Sequence, residues 1–104
     1  MRLLEYFVNF KVNGIQIRCL VNCGSATSSM QLNFYSFNFG KLQDLISSGE
    51  VAVAFNGAIS PIHGTFAAEA IFDTKHYPIQ FKIVDGSQYE AIIGLDFGPL
   101  FKID

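Results

Sequence analysis

The sequence predicts an all-β domain, and three observations carry that reading. Apolar residues alternate at every second position in several short runs. Turn-forming residues separate those runs roughly every 8 to 12 residues. Half of the 104 residues are hydrophobic, eleven of them Phe, which supplies a core with apolar surface to spare for a partner. That length suffices for one domain and not for two. There is no linker, internal repeat or low-complexity tract.

The first element is a hairpin. Tyr6, Val8, Phe10 and Val12 alternate, Asn13-Gly14 makes a tight turn, and Ile15, Ile17, Cys19 and Val21 alternate on the return. A loop of small residues, "NCGSATSSM", follows. The next stretch, "QLNFYSFNFGKLQDLISSG", is ambiguous: its Phe-rich part suits a short helix or an irregular strand. Leu42, Leu45 and Ile46 have helical spacing, enough for one turn or two before Gly49. A second hairpin is expected from "EVAVAFNGAISPIHGTFAAEAIF". Val51, Val53 and Phe55 alternate on one arm, and Phe66, Ala68, Ala70 and Phe72 on the other. The tip between them contains Gly and Pro. "DTKHYP" reads as a polar turn, "IQFKIV" as a strand and "DGSQ" as a turn. "YEAIIGLDFGPLFKID" reads as a buried strand, a short helical turn and a final short strand.

Charge excludes some functions. Charged residues are only 15%, net charge is −2, and no Lys/Arg block exists, so neither nucleic acid nor an anionic membrane is an expected partner. "MRLLEYFVNF" is interrupted by Glu5 and has neither a signal peptide's cleavage site nor a membrane span. Cys19 and Cys23 lie about 13 Å apart on an extended strand, too far for a bridge unless the chain turns sharply. Their spacing lacks a second pair or clustered His for zinc, so no metal and no cofactor is expected. Free thiols, and the lack of an N-x-S/T site, suit an intracellular protein, in cytoplasm or nucleus.

The order of parts resembles the retropepsin-like aspartic proteases, single-domain enzymes of retroviruses and retrotransposons with cellular relatives. Three segments carry the resemblance. "VNGIQIRCLVNCGSAT" is similar to the family's strand-turn-strand followed by Asp-Ser/Thr-Gly-Ala. "NGAISPIHG" stands where the family has its flap. "YEAIIGLDFGPLFKID" looks like its closing segment, aliphatic-aliphatic-Gly-x-Asp, a short helix and a terminal strand. The resemblance spans almost the whole chain. It implies a closed β-barrel or sandwich over residues 1–104, with a flap hairpin and one short C-terminal helix, excised from a longer protein. It also implies a homodimer, with half a site from each chain. Leu3, Leu4, Tyr6, Asn22, Cys23, Leu100, Phe101 and Ile103 would form the interface. Asn56, Gly57, Ile59, Pro61, Ile62, His63 and Gly64 would form the flap over any bound peptide.

The resemblance puts Asn22 where the family carries its catalytic acid. Two such acids at about 3 Å share a proton, one acting as base toward water and one as acid. An amide cannot take that proton, so Asn22, Cys23 and Gly24 would form a vestigial loop with no functional catalytic residue. Asp44, Asp73, Asp85 and Asp104 read as turn or surface residues, and Asp96 belongs to the closing motif. Cys23 replaces a Ser or Thr and reads as a small buried hydrophobe. Sharper readings are an inter-subunit disulfide or a nucleophile paired with His63, the latter disfavoured because the family points this side chain away from the cleft. Gly24 matches the family glycine, and Thr27 and Ser28 would brace the loop. His63 and His76 read as a flap-tip and a turn histidine without named partners.

Three functions follow as expectations. The first is a catalytically inactive homodimerisation and protein-interaction module. The second is a peptide-binding module using the old cleft. The third is an aspartic protease silenced by an introduced Asp-to-Asn change at Asn22, which would leave Cys23 unexplained.

Overall fold

Strands β1 (Tyr6–Val12) and β2 (Ile15–Val21) form the predicted hairpin, in register from Tyr6 opposite Val21 to Val12 opposite Ile15. These and all other features come from a computed structural model that describes residues 6–47, 51–53 and 59–101. Asn13 and Gly14 have φ of 46° and 87°, the left-handed pair that a two-residue hairpin turn demands. Asn13 also ties the turn down. Its N–H donates to the Glu69 carbonyl at 3.1 Å, and its Oδ1 accepts the Glu69 N–H at 3.0 Å.

Glu69 lies on β5 (Ile59–Phe72), which pairs with β6 (Lys75–Val84). The connecting turn is only Asp73-Thr74. The residues after it, expected as turn, belong to β6 because their backbone groups continue the ladder with β5. Pro61 and Ile62, expected at the hairpin tip, likewise lie on β5. The other arm is β4 (Val51–Val53), whose Val51 sits opposite Pro61.

The barrel closes through two short strands. β3 (Ser29–Gln31) runs parallel to β6 and antiparallel to β7 (Ala91–Ile93), and β7 runs parallel to β2. Lys11 opposite Ile71 and Val12 opposite Ala70 join β1 to β5. The ring is therefore β1-β2-β7-β3-β6-β5, six strands, with β4 attached outside it. Ser29 and Met30, expected in a loop, are strand because β6 and β7 flank them and Met30 fills the core.

Period-two alternation puts Phe10, Val12, Ile17, Cys19, Ile79, Phe81, Ile83, Ala91 and Ile93 inside. Among the described residues, most of the Phe rings gather in two aromatic clusters. Phe97 meets Phe10, Tyr77 and Phe72 edge-on or tilted at 5.1, 5.4 and 6.2 Å between ring centres. Phe66 meets Phe39 at 4.9 Å and Tyr35 at 5.1 Å. Pairs of this kind add about 0.5–1.5 kcal/mol each beyond the area they bury.

The ambiguous stretch contains helix α1 (Leu32–Asn38) and a 3-10 turn over Leu42–Asp44. The helical spacing of Leu42, Leu45 and Ile46 does not mark a core stripe. Leu45 packs against the core, but Leu42 is half exposed and Ile46 is 65% exposed. A bond pair with β5 holds Ile46 instead: its N–H donates to the Thr65 carbonyl at 3.2 Å, and its carbonyl accepts the Thr65 N–H at 2.8 Å. The chain's described part ends with the expected helix, α2 (Gly98–Phe101). The predicted final strand, and Leu3, Leu4, Phe55, Asn56, Gly57, Ile103 and Asp104, lie outside the described residues. No helix among the described residues is long and apolar enough to cross a membrane.

Candidate functional site

The loop after β2 is positioned by the barrel's parallel pair. Asn22 N–H donates to the Ile93 carbonyl at 3.0 Å, which extends the β2–β7 pairing by one residue. The chain then turns: Ser25 N–H donates to the Asn22 carbonyl at 3.1 Å. Asn22, Cys23 and Gly24 are exposed on the single chain. Gly24 does not use left-handed φ. Its bare Cα instead makes room for the Asn22 side chain, whose Oδ1 would lie 3.2 Å from an added Cβ.

The Asn22 amide has one orientation. Gly24 N–H donates to Oδ1 at 2.9 Å, and only oxygen can accept there, so the NH2 group is the part of this exposed amide that the bond does not use. The loop thus offers hydrogen-bond donors at its tip and no carboxylate within residues 22–28. An amide does not act as a base near neutral pH.

Behind the tip, the loop is sewn to the closing segment. Ser28, fully buried, donates its N–H to Asp96 Oδ2 at 3.0 Å and its hydroxyl to Asp96 Oδ1 at 2.7 Å. Its Oγ accepts the Gly94 N–H at 3.1 Å. Leu95 N–H donates to the Ser25 carbonyl at 2.8 Å, and the Ser25 hydroxyl donates to the Thr27 carbonyl at 2.7 Å. Of the two expected bracing hydroxyls, Ser28 makes these side-chain contacts. Asp96, expected as part of the closing motif, has both its oxygens engaged by Ser28.

The two thiols differ. Cys19 is buried in the barrel, and burial, with the Glu90 charge adding to it, pushes its pKa up to about 12. Cys23 is exposed, and both are free. On the single chain Cys23 is therefore not a buried hydrophobe. Among the described residues no group of three His, Cys, Asp or Glu side chains could hold a metal ion.

Both histidines have partners, contrary to expectation. His76 Nδ1 lies 2.8 Å from Glu69 Oε1 across the β5–β6 hairpin. His63 lies on the β5 arm, and its Nε2 is 2.8 Å from Asp85 Oδ2 in the turn after β6. Neither pairing follows from local sequence; each depends on strand register. Of the expected interface residues, Tyr6 is 62% exposed at the start of β1, beside Val21, and Leu100 and Phe101 are half-buried on α2. Exposed Leu95, missed by sequence reasoning, lies next to Asp96 in the same closing segment.

No protein-family model and no curated protein matches the sequence. Solved structures do match. The EIAV protease complexed with the inhibitor HBY-793 aligns with a TM-score of 0.75 at 13% identity, covering 97% of this chain and 93% of that one. The retroviral protease-like domain of Ddi1 from Leishmania major aligns at 0.71 and 18% identity, covering 92% and 76%. A retropepsin-like aspartic protease from Rickettsia conorii aligns at 0.71 and 15% identity, covering 96% and 76%. The chain therefore adopts the retropepsin-like fold.

Proposed function

We propose that this retropepsin-like domain is catalytically inactive and acts as a homodimerisation module, an intracellular one given its free thiols. The observation that carries the proposal is Asn22, which in the resemblance holds the position of the family's acid. Its Oδ1 is bonded to Gly24 N–H and its NH2 is not used by that bond. Two such loops meeting on a two-fold axis would bring donors and no general base to the reacting water. Facing amides would pair by donating NH2 to the remaining lone pair of the partner's Oδ1, without a shared proton, so the dimer would not depend on holding one. Exposed Tyr6 and half-buried Leu100 and Phe101 supply apolar surface for the contact.

A second reading has one specific observation in its favour. The NH2 of exposed Asn22, not used by the Gly24 bond, is a donor that suits a peptide carbonyl, so a cleft of this kind would bind peptide without cutting it.

Sedimentation at micromolar concentration and digestion of a diverse peptide library test the proposal together. The expected result is a dimer with no hydrolysis at acidic or neutral pH. A monomer overturns the dimerisation reading. Cleavage that disappears in Asn22→Ala overturns the inactive one, once intact mass has excluded deamidation of Asn22.

A further inference from the structure

His63 occupies an irregular point in β5. Ile62 is opposite Val84 and Gly64 is opposite Ile83, so His63 is the extra residue of a β-bulge. A bulge bends its strand and re-aims the side chain it carries. Close packing accompanies the irregularity. Gly64 has a φ of 155°, and a Cβ there would lie 2.6 Å from Leu45 Cβ and 3.0 Å from the Ile46 carbonyl oxygen. The neighbouring Thr65 is bonded in both directions to Ile46.

The bulge divides β5 into two parts. From Gly64 to Phe72 the strand is continuous with the barrel ladder. Beyond Ile62, from Pro61 back to Ile59, its ladder partner among the described residues is β4, which is outside the ring. The outer arm is therefore joined to the barrel by the Ile62–Val84 pairing and by the His63–Asp85 contact, where the His63 side chain is 22% exposed. A carboxylate oxygen accepts, so the ring proton of this contact sits on Nε2.

The turn that carries Asp85 is held independently. Gln31 Nε2 donates to the Ser87 carbonyl at 2.8 Å, Gln31 N–H donates to the Glu90 carbonyl at 3.0 Å, and the Tyr89 ring lies 5.9 Å from Phe7. Asp85 thus extends from a loop tied to β3 and β1, whereas the arm's ladder partner among the described residues is β4.

We infer that the His63–Asp85 pair is a latch, made by the β5 bulge, that fastens the outer arm of the β4–β5 hairpin to the 85–90 loop. The pair acts on the arm and not on the barrel, because the bulge and the Thr65–Ile46 bonds isolate the ladder below it. Its consequence for ligand access rests on the retropepsin-like reading, in which this hairpin borders the groove. The latch itself does not depend on that reading, nor on dimerisation.

Amide hydrogen exchange followed by NMR on the full chain tests it, comparing the unaltered protein with His63→Ala, Asp85→Ala and the double variant. A partly exposed histidine–carboxylate contact of this type shifts a local opening equilibrium by roughly two- to five-fold. Each single variant should therefore speed exchange at Val51–Val53, Ile59, Ser60 and Ile62 by about that factor. The double variant should add nothing further, because the second partner is already idle. Exchange from Phe66 to Phe72 should not change. Unchanged exchange in the arm, additive effects in the double variant, or an equal rise along the whole of β5 would each overturn the latch. So would failure of both single variants to fold, since the pair would then support the barrel itself. None of these outcomes bears on whether the chain dimerises or cleaves peptide, so the two readings fail separately.

Discussion

Ser28 and Asp96, 68 positions apart, join the loop after β2 to the segment after β7 through two hydrogen bonds at 2.7 and 3.0 Å. Ser28 is fully buried, and its hydroxyl also accepts the Gly94 N–H. Ser28→Ala keeps the backbone bond to Asp96 but removes the hydroxyl bond and strands the Gly94 N–H. A buried group left unpaired costs about 1–3 kcal/mol. The expected loss in denaturant unfolding falls in that range. Asp96→Asn should cost less than Asp96→Ala, because the amide oxygen can still accept one of the two bonds. Equal stability of all three variants and the unaltered protein would mean that the clamp does not support the loop.

Gly94 should resist any side chain. A Cβ there would stand 2.5 Å from the Thr27 carbonyl oxygen and 2.6 Å from that of Ser25. Both atoms are backbone and cannot swing aside, and the Ser25 carbonyl already accepts the Leu95 N–H. Overpacking of this sort costs about 1–3 kcal/mol. Gly94→Ala is expected to destabilise at least that much, while Gly98→Ala, with open space around it, should stay within about 0.5 kcal/mol. Thermal unfolding of the two variants side by side measures the difference.

The thiols should separate by reactivity. A thiol with a pKa of about 12 has roughly one part in ten thousand as thiolate at pH 8. Cys19 is also enclosed, whereas Cys23 is exposed. At a dilution that keeps chains separate, iodoacetamide at pH 8 should therefore add one group per folded chain, at Cys23, and two per unfolded chain. The same shift has a sign for stability. The unfolded thiol ionises above about pH 9 and the folded one does not, so Cys19 draws stability down as pH rises from 9 toward 12. Intact-mass and peptide mapping of the labelled protein read the first claim; unfolding of Cys19→Ala against the unaltered chain over that pH range reads the second.

Strands with period-two alternation were legible because their pattern is local: Phe10 and Val12, Ile17 and Cys19, and Ile79, Phe81 and Ile83 all face inward as their spacing requires. β3 was not, because three residues with a single apolar side chain, Met30, carry no period. Its strand character comes from β6 and β7 on either side. Leu42 and Ile46 misled for the opposite reason. Their helical spacing is real, but a 3-10 turn and a bridge to Thr65 use backbone bonds and leave the side chains out. In the candidate site, the small residues of the turn were readable, and so was the absence of an acid. The partners of Ser28 and His63 were not. Those contacts span 68 and 22 positions and are set by barrel closure and by a bulge, neither of which leaves a mark on neighbouring residues.

The last prediction tests whether two copies of the Asn22 loop meet. In Asn22→Asp the dimer would hold two carboxyls close together, and the second to ionise is opposed by the first. Its pKa in the dimer should lie above the value near 4 of a free Asp. The sign follows from proton uptake. Between those two values the separated chains are ionised while the dimer keeps one shared proton, so association takes up a proton. The dimer's Kd should then rise by about tenfold per pH unit across that window and level off above it. The Asn22 form has no such group and should show no matching rise. Kd measured for both forms from about pH 4 to pH 8, a span that brackets a raised carboxyl, gives the ratio directly. Cys23→Thr added to Asn22→Asp places a hydroxyl beside the acid, and any hydrolysis that appears should be greater in that double variant than in Asn22→Asp alone. A Kd ratio that stays flat with pH would mean that the loops are apart in the dimer, and Asn22 would then not hold the position assigned to it.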